Sequence, residues 1–339
     1  MKSFEYARPT TEAEAVDFLN PIHGSTTVLA GGTDLTSLLR AELLTPSRVV
    51  DLKTIPALSE VTSVDGGVQI GALATLGDLV KHPTVGRYRS LLDAIDGIRA
   101  IQIQSSGTIG GDLCHLPNCW YFRNDHGLLA FKNGVSLPES DDNRYHAIFG
   151  NSGPAKFVNA SRFAPAFLAW GAKVRVVGPS TTDTVGAPKA ASVEANWIPL
   201  EYFYITPKTA GQGNTALKPG QFVSHVWLPD AGRLSSATYD VMQLEGLDWP
   251  LVSASVCIDL DGGMVRDAKV VMGHVAPVPW VADEAARVLI GRPFNEDTVE
   301  MAADVAVSGA TPLSMNEYKV QLARTAVKRA LLKAGGWDV

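Results

Sequence analysis

Two glycine turns in the first third of the chain constrain its fold more than any other feature. Each contains a Gly-Gly pair, a threonine and an aspartate: Leu29-Ala30-Gly31-Gly32-Thr33-Asp34-Leu35 and Ser106-Gly107-Thr108-Ile109-Gly110-Gly111-Asp112. Apolar residues precede the first turn, and leucines recur at helical spacing after it, which predicts a strand, a turn and a helix in that order. Glycine allows backbone conformations that other residues avoid, so main-chain amides can closely approach a ligand at both turns.

Several amides that point into one hollow bind phosphate without a charged side chain. The first turn also opens a predicted helix, whose unpaired N–H groups favour an anion. One Gly-Gly turn alone is more often a plain chain reversal, so the prediction depends on there being two. Neither turn has the G-x-G-x-x-G spacing of a Rossmann domain or the Gly-Lys-Ser/Thr ending of a phosphate loop. Nicotinamide-binding Rossmann domains and nucleotide triphosphatases are therefore not supported.

The composition is typical of a large folded protein. The 339 residues exceed the usual size of one hydrophobic core, which predicts two or three packed units. Hydrophobic residues make up 46% of the chain and charged residues 19%, so extended disorder is not expected. The formal net charge is -6 and no lysine- or arginine-rich run occurs, which argues against a nucleic acid partner.

The sequence carries no apolar run of the roughly 18 residues that span a bilayer and no basic leader with an apolar stretch. We therefore expect neither membrane insertion nor export directed by this chain. Its three cysteines, Cys114, Cys119 and Cys257, do not suggest a disulfide framework. A cytoplasmic location is expected, and export as the passenger of a signal-bearing partner is the alternative.

Two domains are predicted, with a boundary near Pro219-Gly220. Domain 1–220 alternates short strands and helices. It contains an inserted loop at about 114–160 that is rich in Asn, Asp, Gly, Pro and His, and loops of this length usually have a function. Domain 221–335 begins with four predicted strands, of which the first is 222–228, and continues with helices. Strands followed by helices predict an α+β domain.

The segments V-L-A-G-G-T-D-L at 28–35 and T-I-G-G-D-L at 108–113 resemble the paired flavin motifs of molybdenum hydroxylase flavoprotein subunits, the relatives of the medium subunits of carbon monoxide dehydrogenase and xanthine dehydrogenase. The resemblance covers nearly the whole chain, and the motifs are specific as a set. The other matching segments are Ile198-Pro199-Leu200-Glu201-Tyr202-Phe203, Leu217-Lys218-Pro219-Gly220, Asp248-Trp249-Pro250-Leu251-Val252-Ser253, Gly273-His274-Val275-Ala276-Pro277 and Asn316-Glu317-Tyr318-Lys319-Val320.

The resemblance implies an α+β protein with a two-lobed FAD-binding domain of the vanillyl-alcohol-oxidase (PCMH) type and a small C-terminal domain of antiparallel sheet and helices. In that family the two turns embrace the FAD pyrophosphate, and residues matching Thr108, Ile109 and Gly110 lie close to the flavin. The residues expected to bind FAD are Leu29, Ala30, Gly31, Gly32, Thr33, Asp34, Leu35, Ser106, Gly107, Thr108, Ile109, Gly110, Gly111, Asp112 and Arg162.

The resemblance further implies a heterotrimeric oxidoreductase. A large molybdopterin-binding subunit would oxidise an aldehyde, an N-heterocycle or a related substrate, and a small [2Fe-2S] subunit would pass the electrons to FAD in this chain and on to an external acceptor. No residue of this chain is expected to act on the organic substrate. The alternative is a structural or docking subunit with a degenerate flavin site. A stand-alone flavin oxidase is least supported, because no Cys or His attachment motif is evident.

Two segments of the inserted loop, 119–123 and 143–150, resemble a narrower branch, the hydroxybenzoyl-coenzyme A reductase and bacterial aldehyde oxidoreductase flavoproteins. That branch holds a four-iron cluster on four loop cysteines. Only Cys119 matches here, and the other expected positions carry Leu129, Ser136 and Pro154, which are poor or incapable iron ligands. We therefore predict no iron-sulfur cluster and no metal in this chain. A weaker alternative is a zinc site with an unfamiliar spacing, formed by Cys114, His115, Cys119 and His126.

Three positions near the expected flavin site depart from the family pattern. Asp112 replaces the usual Asn, Arg162 stands near the place of an acidic residue, and Asp240 stands near that of a basic one. A carboxylate at Asp112 would repel a pyrophosphate unless it were paired. Our hypothesis is that Arg162 forms an ion pair with Asp112.

Overall fold

The computed structural model describes residues 1–20, 25–179, 193–244 and 248–339. The strands are β1 (Glu5–Ala7), β2 (Thr26–Leu29), β3 (Arg48–Asp51), β4 (Val61–Val64), β5 (Gly67–Gly71), β6 (Phe131–Lys132), β7 (Val135–Ser136), β8 (Lys173–Pro179), β9 (Val193–Pro199), β10 (Phe222–Pro229), β11 (Ser235–Met242), β12 (Pro250–Asp261), β13 (Met264–Gly273) and β14 (Trp280–Val281). The helices are α1 (Glu12–Phe18), α2 (Leu35–Arg40), α3 (Leu76–Lys81), α4 (Arg89–Asp96), α5 (Ile101–Ser106), α6 (Ile109–Leu113), α7 (Trp120–Arg123), α8 (Leu137–Ser140), α9 (Ala164–Ala169), α10 (Asp283–Leu289), α11 (Glu296–Val307) and α12 (Tyr318–Ala334).

The N-terminal lobe is a parallel three-stranded sheet in the order β1-β3-β2. Helix α1 begins as the sequence predicts, because the Thr11 hydroxyl accepts a hydrogen bond from the Glu14 amide at 3.2 Å and satisfies one of the free N–H groups of the first helical turn. Helix α2 follows β2 through the first glycine turn and buries Leu38 and Leu39. The predicted order of strand, turn and helix is thus confirmed.

The second lobe is an antiparallel sheet in the order β4-β5-β10-β8-β9. Residues 222–228, which we assigned to the C-terminal domain, form strand β10 within this sheet. Strand β10 pairs with β5 and β8, and Val226 and Leu228 are fully buried in the core of this lobe. Apolar alternation predicts a strand but not the sheet that it joins. We propose that the domain boundary lies after β10, between Pro229 and Ser235, rather than at residue 220.

The C-terminal domain is an antiparallel sheet in the order β11-β12-β13-β14, covered by α10, α11 and α12. A tight turn at Gly262 and Gly263, both with positive φ, joins β12 to β13. Helix α12 packs Ala323, Val327 and Leu331 into the domain core, on the stripe that the sequence predicts. The mixed α+β fold is confirmed. Within the described ranges, no helix combines the length and the apolar character needed to cross a membrane.

The inserted loop of the first domain packs against the C-terminal domain. It contains the single turn of α7, the β6–β7 hairpin and α8, and then runs along the C-terminal domain. The amides of Ile148 and Phe149 donate to the Val275 carbonyl oxygen, and the Thr311 amide donates to the Ile148 carbonyl oxygen at 2.7 Å. The C-terminal domain therefore satisfies part of the loop's backbone hydrogen bonding, as burial of a loop requires.

Candidate cofactor-binding site

The two glycine turns lie in direct backbone contact. A β-carbon placed on Gly31 would overlap the Ser106 carbonyl oxygen, and one on Gly110 would lie 2.6 Å from the Ala72 β-carbon. Gly32 has φ 74°, a conformation that residues with a side chain rarely adopt. Glycine is therefore required at Gly31 and Gly110 because segments distant in sequence approach closely there, and at Gly32 because of its positive φ.

A cleft opens on both sides of this contact. It consists of a first cavity of about 210 Å³ and a second of about 300 Å³. Thr33, Thr108, Gly111 and His115 line both cavities. An elongated ligand with a negative central group and two flat ends could follow the whole cleft.

Both cavities combine apolar walls with polar groups. The first is lined by Val28, Leu38 and Leu52 together with Asp34 and Gln221. The second combines apolar walls from Ile98, Ile103 and Trp249 with the charged residues Asp112 and Arg162. Either cavity can therefore accept a flat, partly apolar group with hydrogen-bonding edges.

The structure brings most of the predicted residues to this cleft. Those that line it are Ala30, Gly31, Gly32, Thr33, Asp34, Leu35, Gly107, Thr108, Gly110, Gly111, Asp112 and Arg162. Three predicted residues do not line either cavity. Leu29 is the last residue of β2, and Ile109 is fully buried in the core. The carbonyl group of Ser106 lies against Gly31.

His115 and Trp249 line the cleft although neither was predicted to bind FAD. Their rings lie 5.2 Å apart. The sequence did contain signals for both, because His115 closely follows the second turn and Trp249 belongs to the Asp248-Trp249-Pro250 segment that carries the family resemblance.

The turns are not equivalent as hydrogen-bond donors. In the second turn, the Ile109 amide donates to the Ala74 carbonyl at 3.2 Å and the Gly110 amide donates to the Ala72 carbonyl at 2.7 Å. In the first turn, the amides of residues 31–35 donate to no acceptor within the described residues. The first turn therefore offers free N–H groups to an anion. In the second turn, the amides of Ile109 and Gly110 are already used in holding its backbone against residues 72–74.

The inserted loop neutralises the only carboxylate of the first turn. Arg123 Nη1 donates to Asp34 Oδ1 at 2.7 Å, and His115 Nε2 lies 3.6 Å from the same oxygen. Arg123 also donates to the carbonyl oxygens of Leu116 and Pro117, each at 3.1 Å. The guanidinium is thus fixed where it offsets the repulsion between Asp34 and an incoming anion.

The hypothesis that Asp112 pairs with the guanidinium of Arg162 is wrong. The Asp112 carboxylate instead accepts from the Ser161 hydroxyl and from the amides of Arg162 and Phe163, each of these amides at 3.2 Å. The Arg162 guanidinium reaches the C-terminal domain, where Nη2 donates to Asp240 Oδ2 at 2.8 Å. The backbone of residues 161–163 runs beside Asp112. The amides of Arg162 and Phe163 therefore hydrogen-bond to this carboxylate, whereas the Arg162 guanidinium extends away from it to Asp240.

Asp112→Asn should remove a pH dependence of stability. Burial raises the pKa of the Asp112 carboxyl above its usual range, so folding favours the protonated form. The stability contributed by this group is full below the unfolded pKa and is lost as the pH rises through the folded pKa, by about 1.4 kcal/mol per unit of difference. We expect the melting temperature of the wild type to decline more steeply than that of Asp112→Asn above about pH 4.

Thermal melting at a series of pH values checks this expectation. Asp17→Asn, at an exposed position of α1, is the control. It shows how the loss of a surface carboxylate changes the pH dependence of the melting temperature. Parallel melting curves for the wild type and Asp112→Asn across the whole series would contradict the prediction.

Apolar side chains occupy the space beside the one matching cysteine of the inserted loop. Leu129, Ala155 and Phe157 form a small buried cluster against which Cys119 packs. The Cys119 sulfur lies 3.3 Å from His146 Nε2, and burial raises the pKa of the Cys114 thiol to about 12. In the described ranges, no three His, Cys, Asp or Glu residues are grouped so that they could hold a metal ion.

The cleft contains donors suited to a dinucleotide. Besides the free amides of the first turn, Arg162 Nε is buried and has no hydrogen-bond partner in the described part of the chain. Buried donors are rarely left without a partner in folded proteins. The chemistry of the cleft therefore fits a ligand with a pyrophosphate at the turns and a hydrogen-bonding ring in the second cavity.

Comparisons with known proteins agree with this geometry. The family described as "FAD binding domain in molybdopterin dehydrogenase" matches residues 2–231, and the "CO dehydrogenase flavoprotein C-terminal domain" matches residues 237–334. Among curated proteins, the chain is 28% identical to the aldehyde oxidoreductase FAD-binding subunit PaoB of Escherichia coli (strain K12), covering 98% of this chain and 99% of that one. It is 24% identical to the carbon monoxide dehydrogenase medium chain of Hydrogenophaga pseudoflava, covering 97% and 96% of the two chains.

A solved structure supports the same fold. A carbon monoxide dehydrogenase from Hydrogenophaga pseudoflava that lacks the Mo-pyranopterin moiety of its cofactor superimposes with a TM-score of 0.74. The two chains are 23% identical, and the match covers 99% of this chain and 98% of the other. With both domains matched in order, this chain belongs to the family of FAD-binding flavoproteins of the molybdopterin dehydrogenases, and FAD is its cofactor.

Proposed function

We propose that this chain is the electron-transfer flavoprotein subunit of a molybdenum hydroxylase complex. In this proposal a small partner subunit donates electrons from [2Fe-2S] clusters, and a large molybdopterin-binding partner oxidises an aldehyde, an N-heterocycle or a related substrate. The relatives named as a medium chain and as an FAD-binding subunit support this role. The observation that carries it is the cleft in which the free amides of residues 31–35 meet a cavity on each side.

Each part of the cleft has a distinct task in this proposal. The amides of residues 31–35 bind the pyrophosphate, and Arg123 cancels the charge of Asp34 beside it. The second cavity receives the flavin ring, and Trp249 and the side chain of Arg162 line its walls. When bound, FAD can take up electrons from one-electron donors and deliver them in pairs. The protein holds the cofactor and tunes its potential.

The alternative, a docking subunit with a degenerate flavin site, was motivated by the unusual residues Asp112, Arg162 and Asp240. Their contacts weaken that motive. Asp112 accepts three hydrogen bonds, and Arg162 and Asp240 neutralise each other. The departures from the family pattern are therefore compensated within the protein.

Purification of the complex from its native source tests the proposal. We expect two further subunits, molybdenum, iron and one flavin per copy of this chain. Anaerobic addition of a panel of aldehydes and N-heterocycles should bleach the flavin absorbance when the partners are present. The isolated chain should keep its flavin and bleach only with dithionite.

Two results would count against the proposal. A complex that contains molybdenum and iron but in which this chain is colourless supports the docking alternative. If no associated chain contains molybdenum, the assignment of partners is wrong.

A further inference from the structure

A lysine just after β3 contacts the backbone of the first glycine turn. Strand β3 pairs in parallel with β2 and places Asp51 beside Leu29. Neighbouring parallel strands run in the same direction and end at the same edge of a sheet, so Lys53 lies next to the turn that follows β2. The Lys53 ammonium group donates to the Ala30 carbonyl oxygen at 3.1 Å.

Lys53 is itself held in place although its side chain is half-exposed. Its Nζ lies 2.7 Å from Asp51 Oδ1, and its amide donates to the same oxygen at 3.0 Å. The Tyr6 hydroxyl donates to the other carboxylate oxygen. Because the Asp51 side chain is only 5% exposed, this carboxylate gives the ammonium group a fixed direction.

The contact with Ala30 sets the direction of the neighbouring amide. The Ala30 carbonyl and the Gly31 N–H belong to one planar trans peptide, in which they point in opposite directions. The Gly31 N–H is therefore turned away from Lys53, and Gly31 lines the first cavity of the cleft, whereas Lys53 lines neither cavity. This N–H donates to no acceptor among the residues that the structure describes, so it is free to bind an anion.

The turn needs such a contact because its own residues restrain it little. Residue 31 has to be glycine, since a β-carbon there would overlap the Ser106 carbonyl oxygen. Glycine also adopts a wider range of φ than other residues, so residue 31 offers little resistance to rotation of the Ala30–Gly31 peptide. A rotated peptide would present a carbonyl oxygen to the anion in place of an N–H. A hydrogen bond that holds the Ala30 carbonyl from a neighbouring segment prevents this rotation.

We infer that Lys53 is a positioning residue for the cofactor. By holding the Ala30 carbonyl oxygen, it keeps the Gly31 N–H directed toward the pyrophosphate of FAD. Lys53 acts through the peptide and not by contact with the phosphates. This inference rests on the proposed function, in which the amides of residues 31–35 bind the pyrophosphate.

FAD titrations of the FAD-free protein test the inference. Lys53→Met keeps an unbranched side chain but removes the donor, so the free protein should populate both orientations of the peptide, of which only one binds. We expect about tenfold weaker binding, which corresponds to about one free molecule in ten with the competent orientation. Lys53→Arg should restore the affinity, because a guanidinium also donates to a carbonyl oxygen. Lys132→Met, on the exposed strand β6, is the matched control and should bind FAD as tightly as the wild type.

Two further measurements separate positioning from charge. Lys53→Met leaves Asp51 without its cation, and the negative charge of that carboxylate disfavours an anion nearby. The double variant Lys53→Met/Asp51→Asn removes this charge and keeps an oxygen that accepts from the amide of residue 53, so it should bind FAD as weakly as Lys53→Met. In about 1 M NaCl, where the Debye length is about 3 Å, the ratio between the wild-type and Lys53→Met affinities should persist, because salt does not screen the orientation of a peptide.

A double variant that binds like the wild type, or a loss that disappears in concentrated salt, would show that Lys53 acts by its charge and overturns the inference. Wild-type affinity in Lys53→Met also overturns it, provided that Gly31→Ala is weakened. If Gly31→Ala itself binds FAD like the wild type, the pyrophosphate does not lie at the first turn, and the proposed arrangement of the cofactor fails instead. Melting temperatures of the FAD-free proteins show that each variant is folded, and Lys53→Met should melt close to the wild type because a half-exposed ion pair contributes little to stability.

Discussion

Gly31→Ala should lower the affinity for FAD by about 100-fold or more, which corresponds to about 2.7 kcal/mol. A β-carbon at this position would overlap the Ser106 carbonyl oxygen. The clash is with main-chain atoms, so no side chain can move to relieve it. Overpacking costs about 1–3 kcal/mol even where side chains can rearrange, and here only separation of the two turns relieves it. That separation would widen the place where the free amides of residues 31–35 converge.

Two further glycines make the test graded. Gly32→Ala should have an intermediate effect of about 1–2 kcal/mol, because it forces a side chain into the left-handed region at φ 74° without the same overlap. Gly86→Ala is the control, since nothing lies within 4 Å of a β-carbon there. FAD titration by flavin fluorescence, with melting temperatures of the FAD-free proteins, gives the ranking. If Gly32→Ala binds as tightly as Gly86→Ala and Gly31→Ala is also unaffected, the turns do not hold the cofactor.

The local features of the fold could be predicted because the sequence encodes them over short distances. The Thr11 cap, the first turn and helix α2, and the apolar stripe of α12 each depend on residues only a few positions apart. The contact of Gly31 with Ser106 is of a different kind. Paired glycine motifs suggested a shared ligand, but only the fold brings these two backbones together.

Long-range partners were the part that sequence reasoning could not supply. Charge complementarity predicted an ion pair between Asp112 and Arg162. In the structure, nearby main-chain amides donate to Asp112, and the Arg162 guanidinium pairs with Asp240. The same limit applies to Arg123, which lies in a loop without periodicity but fixes Asp34 across 89 positions of sequence. Side-chain type predicts that a partner is needed, but it does not predict which of several distant groups the fold places nearest.

The ion pair between Arg162 and Asp240 joins the two domains and is almost completely buried. The two side chains are 7% and 10% exposed, and a β-carbon on Gly97 would lie only 2.7 Å from either charged group. Removing one partner of such a pair typically costs about 3–5 kcal/mol, because the remaining charge stays buried. Arg162→Met should therefore destabilise the FAD-free protein by about that amount. Asp240→Asn should also destabilise it, because the Arg162 guanidinium is then buried without a carboxylate.

The double variant should lose much less free energy of unfolding than the two single variants lose together, because neither charge is then left buried without its partner. Burial already raises the pKa of Asp240 despite Arg162, and loss of the guanidinium should raise it further. The stability from such a carboxyl is full below its unfolded pKa and is lost as the pH rises through its folded pKa. The penalty of Arg162→Met should therefore be smaller at about pH 5 than at about pH 8. Urea unfolding of the four FAD-free proteins at both pH values measures these differences, and additive losses with no pH dependence would show that the pair is not coupled.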